Sequence, residues 1–355
     1  MESFAFILHP LSVADITRKY PLTARIPAKI LEGLFRYLPP LKVTEITGIH
    51  SPHACARGWF VSCSLTSRQI LELPQDYVLE KIIRAGEKAQ SLGAKIVGLG
   101  AFTAVVGDAG VTIARNLKIP VTTGNSYTVA TAIAGTKMAA RQLGIDIGRA
   151  EVAIIGATGA IGSTCARILA REIRYLTLFG RNEKKLQRLG DKITAESGLA
   201  AQISSNLPQT LTKADVVITV TGANDAIIQP EHLKPGAVIC DVARPRDVSR
   251  RVAQERKDVL VIEGGVVQLP PDANFNFDFG FPPGTSYACM AETMLLALEG
   301  RYESFSLGRD LTVAQVDEIS ALADKHGFRL AGLRSFEKPV TQEQINAVLE
   351  RAKRA

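Results

Sequence analysis

Cys289 lies where a cysteine side chain can become a nucleophile. Pro283 and Gly284 stop whatever precedes them, and Thr285 and Ser286 are then placed to cap a helix. Its apolar positions Met290, Met294, Leu295 and Leu298 recur at helical spacing. That spacing puts Cys289 in the first turn, where unpaired backbone N–H groups and the positive end of the helix dipole favour a thiolate over a thiol. A thiolate attacks carbonyl carbon at neutral pH. The same position also suits a cysteine that only fills space, because cysteine packs as a small hydrophobe. Both readings stand on the residues alone.

A second set of residues points to a hydride carrier. Gly156, Gly159 and Gly162 follow the apolar strand Glu151 to Ile155 and open a helix expected over Ser163 to Arg171. Glycine at these points permits a tight turn and close backbone approach, and a pyrophosphate then meets the helix N-terminus. Thr158, Ala160 and Ile161 complete that turn. The next strand ends in Phe179-Gly-Arg-Asn182, where an NAD-selective site usually carries an acid for the ribose hydroxyls. Arg181 stands there instead, beside Asn182 and followed by Lys184 and Lys185. A forked guanidinium suits a 2′-phosphate, so the pattern predicts NADPH. Thr221 and Gly222, in Thr219 to Ala223, and the stretch Glu263 to Val267 fall at ends of predicted strands, which face the cofactor cleft in a doubly wound sheet. Ordinary turns would look the same.

The elements that position these groups read as α/β. Strands are expected over Phe4 to Leu8, Lys42 to Ile46, Gly58 to Cys63 and Lys95 to Leu99, with a helix from Tyr77 to Leu92. A long Ala-rich helix from Ser126 to Leu143 follows. Short apolar runs then alternate with helical stretches: Glu151 to Ile155, Tyr175 to Phe179, Asp215 to Val220, Ala237 to Asp241 and Val259 to Ile262. Such alternation indicates βαβ units on a parallel sheet. The expected organisation is a substrate or acyl-binding α/β domain over 1–124 and a Rossmann-like, doubly wound NADPH domain over 125–284. A helical segment over 285–355 is expected to carry the cysteine and pack at the domain interface.

A chain of 355 residues, 46% of them apolar, can bury a sizeable core. No apolar run approaches the ~18 residues needed to span a bilayer, and the start lacks a basic leader, so no integral membrane segment and no secretory signal are expected. Five cysteines, an odd set without paired metal-ligand spacing, point to a reducing, cytoplasmic setting and argue against a disulfide framework or a zinc site. The net charge of +7 gathers around Arg171 to Arg188 and in Arg244, Arg246, Arg250, Arg251, Arg256 and Lys257. This is either a solvated face or an attraction for an acidic carrier or phosphorylated cofactor. No aromatic residues interleave with the arginines as a nucleic-acid module would require. His50 and His53 are close in sequence, but no third ligand accompanies them.

Together these residues resemble the long-chain acyl-carrier-protein reductases, which form fatty aldehydes. The resemblance runs through Gly98 to Thr103, Thr122 to Thr128, Gly144 to Ile147, Val152 to Gly162, Gly264 to Val267 and Tyr287 to Glu292, and on to Glu299-Gly300, Ser304 to Arg309 and His326 to Phe328. It implies that Cys289 accepts the acyl group and that NADPH reduces it. The acyl donor is then a thioester of acyl carrier protein or coenzyme A. On that reading the N–H groups of the Cys289 helix are the foremost oxyanion donors, with Asn125 and Ser126 as weaker ones or simple caps. Phe275, Phe277, Phe279 and Phe281 alternate just before the cysteine loop, so an extended segment would turn all four to one face, lining an acyl site or sealing a strand edge. The first 60 residues match the family poorly. Three alternatives remain at this point: an alcohol oxidoreductase of the shikimate-dehydrogenase type, an NADPH-binding redox sensor, and a glutamyl-tRNA-reductase-like enzyme whose nucleophile would be Cys55 or Cys63.

Overall fold

The computed structural model describes residues 1–278 and 282–354. The chain divides into two compact units. One is formed by 1–124, 268–310 and 321–329, the other by 125–267, 311–320 and 330–355. The stretch after 285 therefore does not stand apart as a helical segment: the cysteine helix belongs to the first unit, while Ile345 and Val348 join the core of the second.

The second unit is built on six strands: β6 (Glu151–Ile155), β7 (Tyr175–Phe179), β8 (Gln202–Ser204), β9 (Val216–Thr219), β10 (Val238–Asp241) and β11 (Leu260–Glu263). They lie in the order β11-β10-β9-β6-β7-β8, all parallel. This is the doubly wound dinucleotide-binding order, in which the sequence direction reverses between β6 and β9. Strands β9 and β10 are buried from end to end, as expected for valine-rich strands covered on both faces. Alternate residues go to opposite layers. Val152, Ile154, Leu178, Val216, Ile218 and Val238 join one core with the helix Asn125–Gln142, and Ala153, Ile155, Val217 and Ile239 join the other.

The first unit has a five-stranded sheet of β1 (Glu2–Leu8), β2 (Lys42–His50), β3 (Cys55–Ser62), β4 (Val97–Leu99) and β5 (Val121–Thr122), in the order β2-β3-β1-β4-β5. Only β2 runs antiparallel to its neighbour. Ala5, Ile7, Val61, Val97 and Leu99 pack against Val78, Ile82, Ala85 and Ala89 of the helix Gln75–Ser91. Phe4 and Phe6 alternate with Ala5 and Ile7 and so face the other side, where the cysteine helix Ala288–Leu298 lies along β1, β4 and β3.

The phenylalanine run is not extended. Asn276 takes a left-handed φ of +49°, which breaks the strand alternation. Phe275 and Phe277 both pack on the buried ring of Phe60, at 5.6 and 6.2 Å between centroids. Phe279 and Phe281 lie outside the described residues. Among the described residues, no helix is long and apolar enough to cross a membrane.

Candidate active site

The approach to Cys289 differs from the sequence expectation in one respect. Thr285 and Ser286 do not cap the helix. They form a short buried strand, Thr285–Tyr287, with the Thr285 hydroxyl donating to the Pro282 carbonyl at 2.7 Å. Tyr287 is the cap residue, and its side chain makes no capping hydrogen bond. Apolar demand explains the shift, since ten of the eleven helix residues are buried and the chain enters the core directly from a strand. Cys289 is the second helical residue and the exception, being partly accessible. The one side chain of this helix that solvent reaches is thus a thiol beside first-turn N–H groups.

A turn at the carboxyl end of β5 supports this helix. Gly124 has a φ of +73°, and a Cβ built there would stand 2.2 Å from Cys289 Cα and 2.4 Å from its Cβ. Only glycine tolerates both the backbone angle and the contact. The hydroxyl of Thr122 donates to the fully buried carboxylate of Glu292 at 2.5 Å, and the N–H of Gly124 donates to Thr122 Oγ1 at 3.3 Å. Thr123 donates to the Ser306 carbonyl at 2.5 Å. The thiol is therefore held outside the carboxyl end of a parallel strand, where α/β sheets place their ligand crevices.

Three of the other cysteines are buried. Burial pushes the Cys63 and Cys240 thiols up to about 12 and raises Cys165 as well. Cys55 is exposed at the first position of β3.

In the second unit the glycine turn has the shape its sequence predicts. The N–H groups of Gly156 and Ala157 both donate to the Phe179 carbonyl at 3.0 Å, tying the turn to the end of β7. A Cβ on Gly156 would meet the Val220 carbonyl oxygen at 2.5 Å, and one on Gly162 would meet the Gly156 oxygen at 2.5 Å. The helix begins at Ala160, three residues before the expectation, with Gly159 as its uncapped N-terminal residue. Its first turn, Ala160, Ile161 and Gly162, therefore directs N–H groups outward. Thr158 approaches Gly180, at the head of the Arg181 segment. Arg181 is exposed and has no ion-pair partner among the described residues. Asn182 is engaged locally, its Oδ1 accepting from the N–H of Lys185 at 3.0 Å as the cap of the helix Glu183–Ser197. This cradle of close-packed glycines, outward N–H groups and an uncommitted guanidinium fits a phosphorylated dinucleotide.

Thr221 and Gly222 follow β9 in a loop whose anchor the sequence did not reveal. The fully buried Asp247 accepts from Thr219 Oγ1 at 2.6 Å, from the Thr221 N–H at 2.8 Å and from Thr221 Oγ1 at 2.5 Å. Around Gly222 there is open space. Next to this anchor, burial raises the carboxyl of Asp241 to about 6 despite nearby Arg244 and the N–H of Val248. A buried acid 28 residues beyond Thr219 carries no local signal, so only the fold brings them together. The basic run around Arg244 to Lys257 is largely consumed internally. Arg244 and Arg246 pair with the buried Glu263, Arg251 with Glu231 and Glu255, and Arg256 with Asp258. Arg181, Lys184 and Lys185 remain exposed.

His326 is buried in the first unit, within hydrogen-bond distance of Ser51 Oγ (2.8 Å) and Glu299 Oε2 (2.9 Å), which gives it a structural tie. No group of His, Cys, Asp and Glu among the described residues could hold a metal ion.

Comparison with known proteins matches residues 137–263 to the family model described as shikimate / quinate 5-dehydrogenase. The chain is 30% identical over 306 residues to the long-chain acyl-[acyl-carrier-protein] reductase of Synechococcus elongatus, covering 82% of this chain and 87% of that protein. It is 29% identical over 364 residues to the aminotransferase PigE of Serratia sp. strain ATCC 39006, covering 96% of this chain but 41% of that protein. Against glutamyl-tRNA reductase of Neisseria gonorrhoeae it is 28% identical, over 54% of this chain and 46% of that protein. The chain thus spans about two fifths of the length of PigE.

Proposed function

Since the chain belongs to the long-chain acyl-[acyl-carrier-protein] reductase family, we propose that it reduces a long-chain fatty acyl thioester to the aldehyde through an acyl group carried on Cys289. As a member of this family it is an NAD(P)-dependent oxidoreductase. The observation that carries the finer reading is that Cys289 is the one accessible side chain of an otherwise buried helix, in its first turn and packed on Gly124.

The Cys289 thiolate attacks the thioester carbonyl, the carbon–sulfur bond to the carrier breaks, and the carrier leaves as its thiol. One thioester replaces another, so the protein has to supply position and a thiolate rather than driving force. N–H groups of the helix first turn are donors for the oxyanion that develops at the carbonyl. The residues that would hold the nucleotide are Gly156, Thr158, Gly159, Ala160, Ile161 and Gly162 for the pyrophosphate, Arg181 and Asn182 for the 2′-phosphate, and Thr221 and Gly222 in the loop after β9. NADPH held there would supply the hydride that reduces the acyl group on Cys289. Expulsion of the Cys289 thiolate releases the aldehyde and restores the residue.

The family match over 137–263 also supports a second reading, an alcohol oxidoreductase of the shikimate type. That match covers nucleotide-unit residues only and leaves Cys289 without a role. Incubating the protein with a long-chain acyl carrier thioester, or the acyl-coenzyme A, and NADPH separates the two. Equal amounts of aldehyde formed and NADPH consumed, both lost in Cys289→Ala, support the thioester reductase. NADP-dependent oxidation of a hydroxy acid, undiminished in Cys289→Ala, supports the alternative.

A further inference from the structure

We propose that the face formed by residues 11–41 of the first unit is a docking surface for a membrane that carries anionic lipid. Among the described residues thirteen large apolar side chains are exposed, and eight of them fall here: Leu11, Tyr20, Leu22, Ile30, Leu34, Tyr37, Leu38 and Leu41. Leu22 is 84% exposed, at the tip of the 3-10 turn Pro21–Arg25, and Tyr37 is 67% exposed. A concentration of this kind on one short stretch marks an interaction surface rather than scatter.

The helix Ala28–Phe35 shows that the exposure follows from its packing. Leu31 and Glu32 face inward and are buried, so Ile30 and Leu34, one turn apart, share an outward face at 56% and 59% exposure. Glu32 is buried, pairs with Arg68 and receives the Thr66 hydroxyl. The remaining acid of the stretch, Asp15, is occupied by Arg18 at 3.2 Å and by the N–H of Ser12 at 3.0 Å. Against these two acids stand Arg18, Lys19, Arg25, Lys29 and Arg36.

Exposed leucine and tyrosine interleaved with lysine and arginine is the composition of an interfacial segment. Apolar side chains enter the acyl boundary, tyrosines sit at headgroup level and basic ends meet anionic lipid. An acidic carrier protein would complement the charges but not eight protruding apolar groups; a lipid surface complements both. The proposal stands on this surface alone, whatever chemistry Cys289 performs.

Co-sedimentation with vesicles tests it. The whole protein is mixed with phosphatidylcholine vesicles and with vesicles that also contain phosphatidylglycerol. The expected result is binding to the anionic vesicles that weakens with salt. A Leu22→Ser/Leu34→Ser pair should lower the partition coefficient more than ten-fold, and each of Arg25→Ser and Lys29→Ser about five-fold. All four side chains are outward-facing, and an unchanged far-UV spectrum and NADPH affinity verify that the variants fold. Absence of binding to anionic vesicles, or binding that the leucine pair leaves intact, overturns the proposal. So does a wild-type dimer that the leucine pair converts to monomer, since the face would then be covered by a second copy. Loss of carrier-protein binding in the pair, with vesicle binding unchanged, would assign the face to the carrier instead.

Discussion

Gly124 and Cys289 touch backbone to backbone: a methyl group added to Gly124 would lie 2.2 Å from Cys289 Cα, well inside any real contact. The position of Cys289 is therefore set by a residue far away in sequence whose φ of +73° also excludes most side chains. Gly124→Ala must move the first turn of the cysteine helix or its supporting turn. We expect acylation by a long-chain acyl thioester to fall at least a hundred-fold, with a stability loss of about 1–3 kcal/mol, and NADPH affinity to stay within two-fold because the glycine cradle belongs to the other unit. Acylation rates by mass spectrometry and NADPH titration by fluorescence check both halves.

Thr122 links the same turn to the fully buried Glu292 through a 2.5 Å hydrogen bond. Thr122→Val keeps the shape and removes a donor from a buried carboxylate, which costs about 1–3 kcal/mol. Thermal unfolding should register that loss, whereas Thr122→Ser should recover most of it.

Arg181 is the residue proposed to set nucleotide choice. It is exposed, follows β7 and is not engaged in an ion pair among the described residues. Arg181→Ala should weaken NADPH binding by roughly ten- to a hundred-fold, the range for losing hydrogen bonds to a charged group, and leave NADH binding nearly unchanged. Isothermal titration with both nucleotides reads the difference directly. Equal weakening of both would remove Arg181 from the 2′-phosphate role.

Asp241 gives a signed pH effect. Burial raises its carboxyl from 3.8 to about 6. Between those values the folded protein holds a proton that the unfolded chain has released, so this group's contribution to stability falls as pH rises through the window. Below about pH 4 it contributes nothing, and above about pH 6 its full cost, on the order of 3 kcal/mol, is in place. Asp241→Asn removes the titration. Denaturant unfolding should therefore show the stability of wild type relative to the variant declining from pH 4 to pH 6 and then levelling. A difference that is flat or rises over that window contradicts the assignment.

Much of this was legible in the residues because local rules governed it. Period-two and period-3.6 patterns located β6 and β7 to the residue and β9, β10 and β11 to within one position, since buried parallel strands are short valine-rich runs between turns, whereas the three-residue edge strand β8, with no fully buried residue, was not expected. The glycine turn was legible because its close contacts tolerate nothing larger. The failures share a cause in long-range packing. Thr285 and Ser286 have capping chemistry, yet burial draws them into a strand. A single left-handed residue, Asn276, undoes the expected phenylalanine face. Asp247 and Thr221 meet only because β9 and β10 are neighbours, and Glu292 meets Thr122 across 170 residues. The basic run around Arg244 looked available in sequence because its partners Glu263 and Glu337 are distant along the chain.

The central claim is a covalent bond to Cys289. Intact-mass spectrometry of the protein mixed with a long-chain acyl thioester, in the absence of NADPH, measures that bond directly. The account predicts a gain of one acyl group that disappears when NADPH is added, as aldehyde is released, and that never forms in Cys289→Ala. An adduct that persists in Cys289→Ala, or no adduct despite tight NADPH binding, would contradict it.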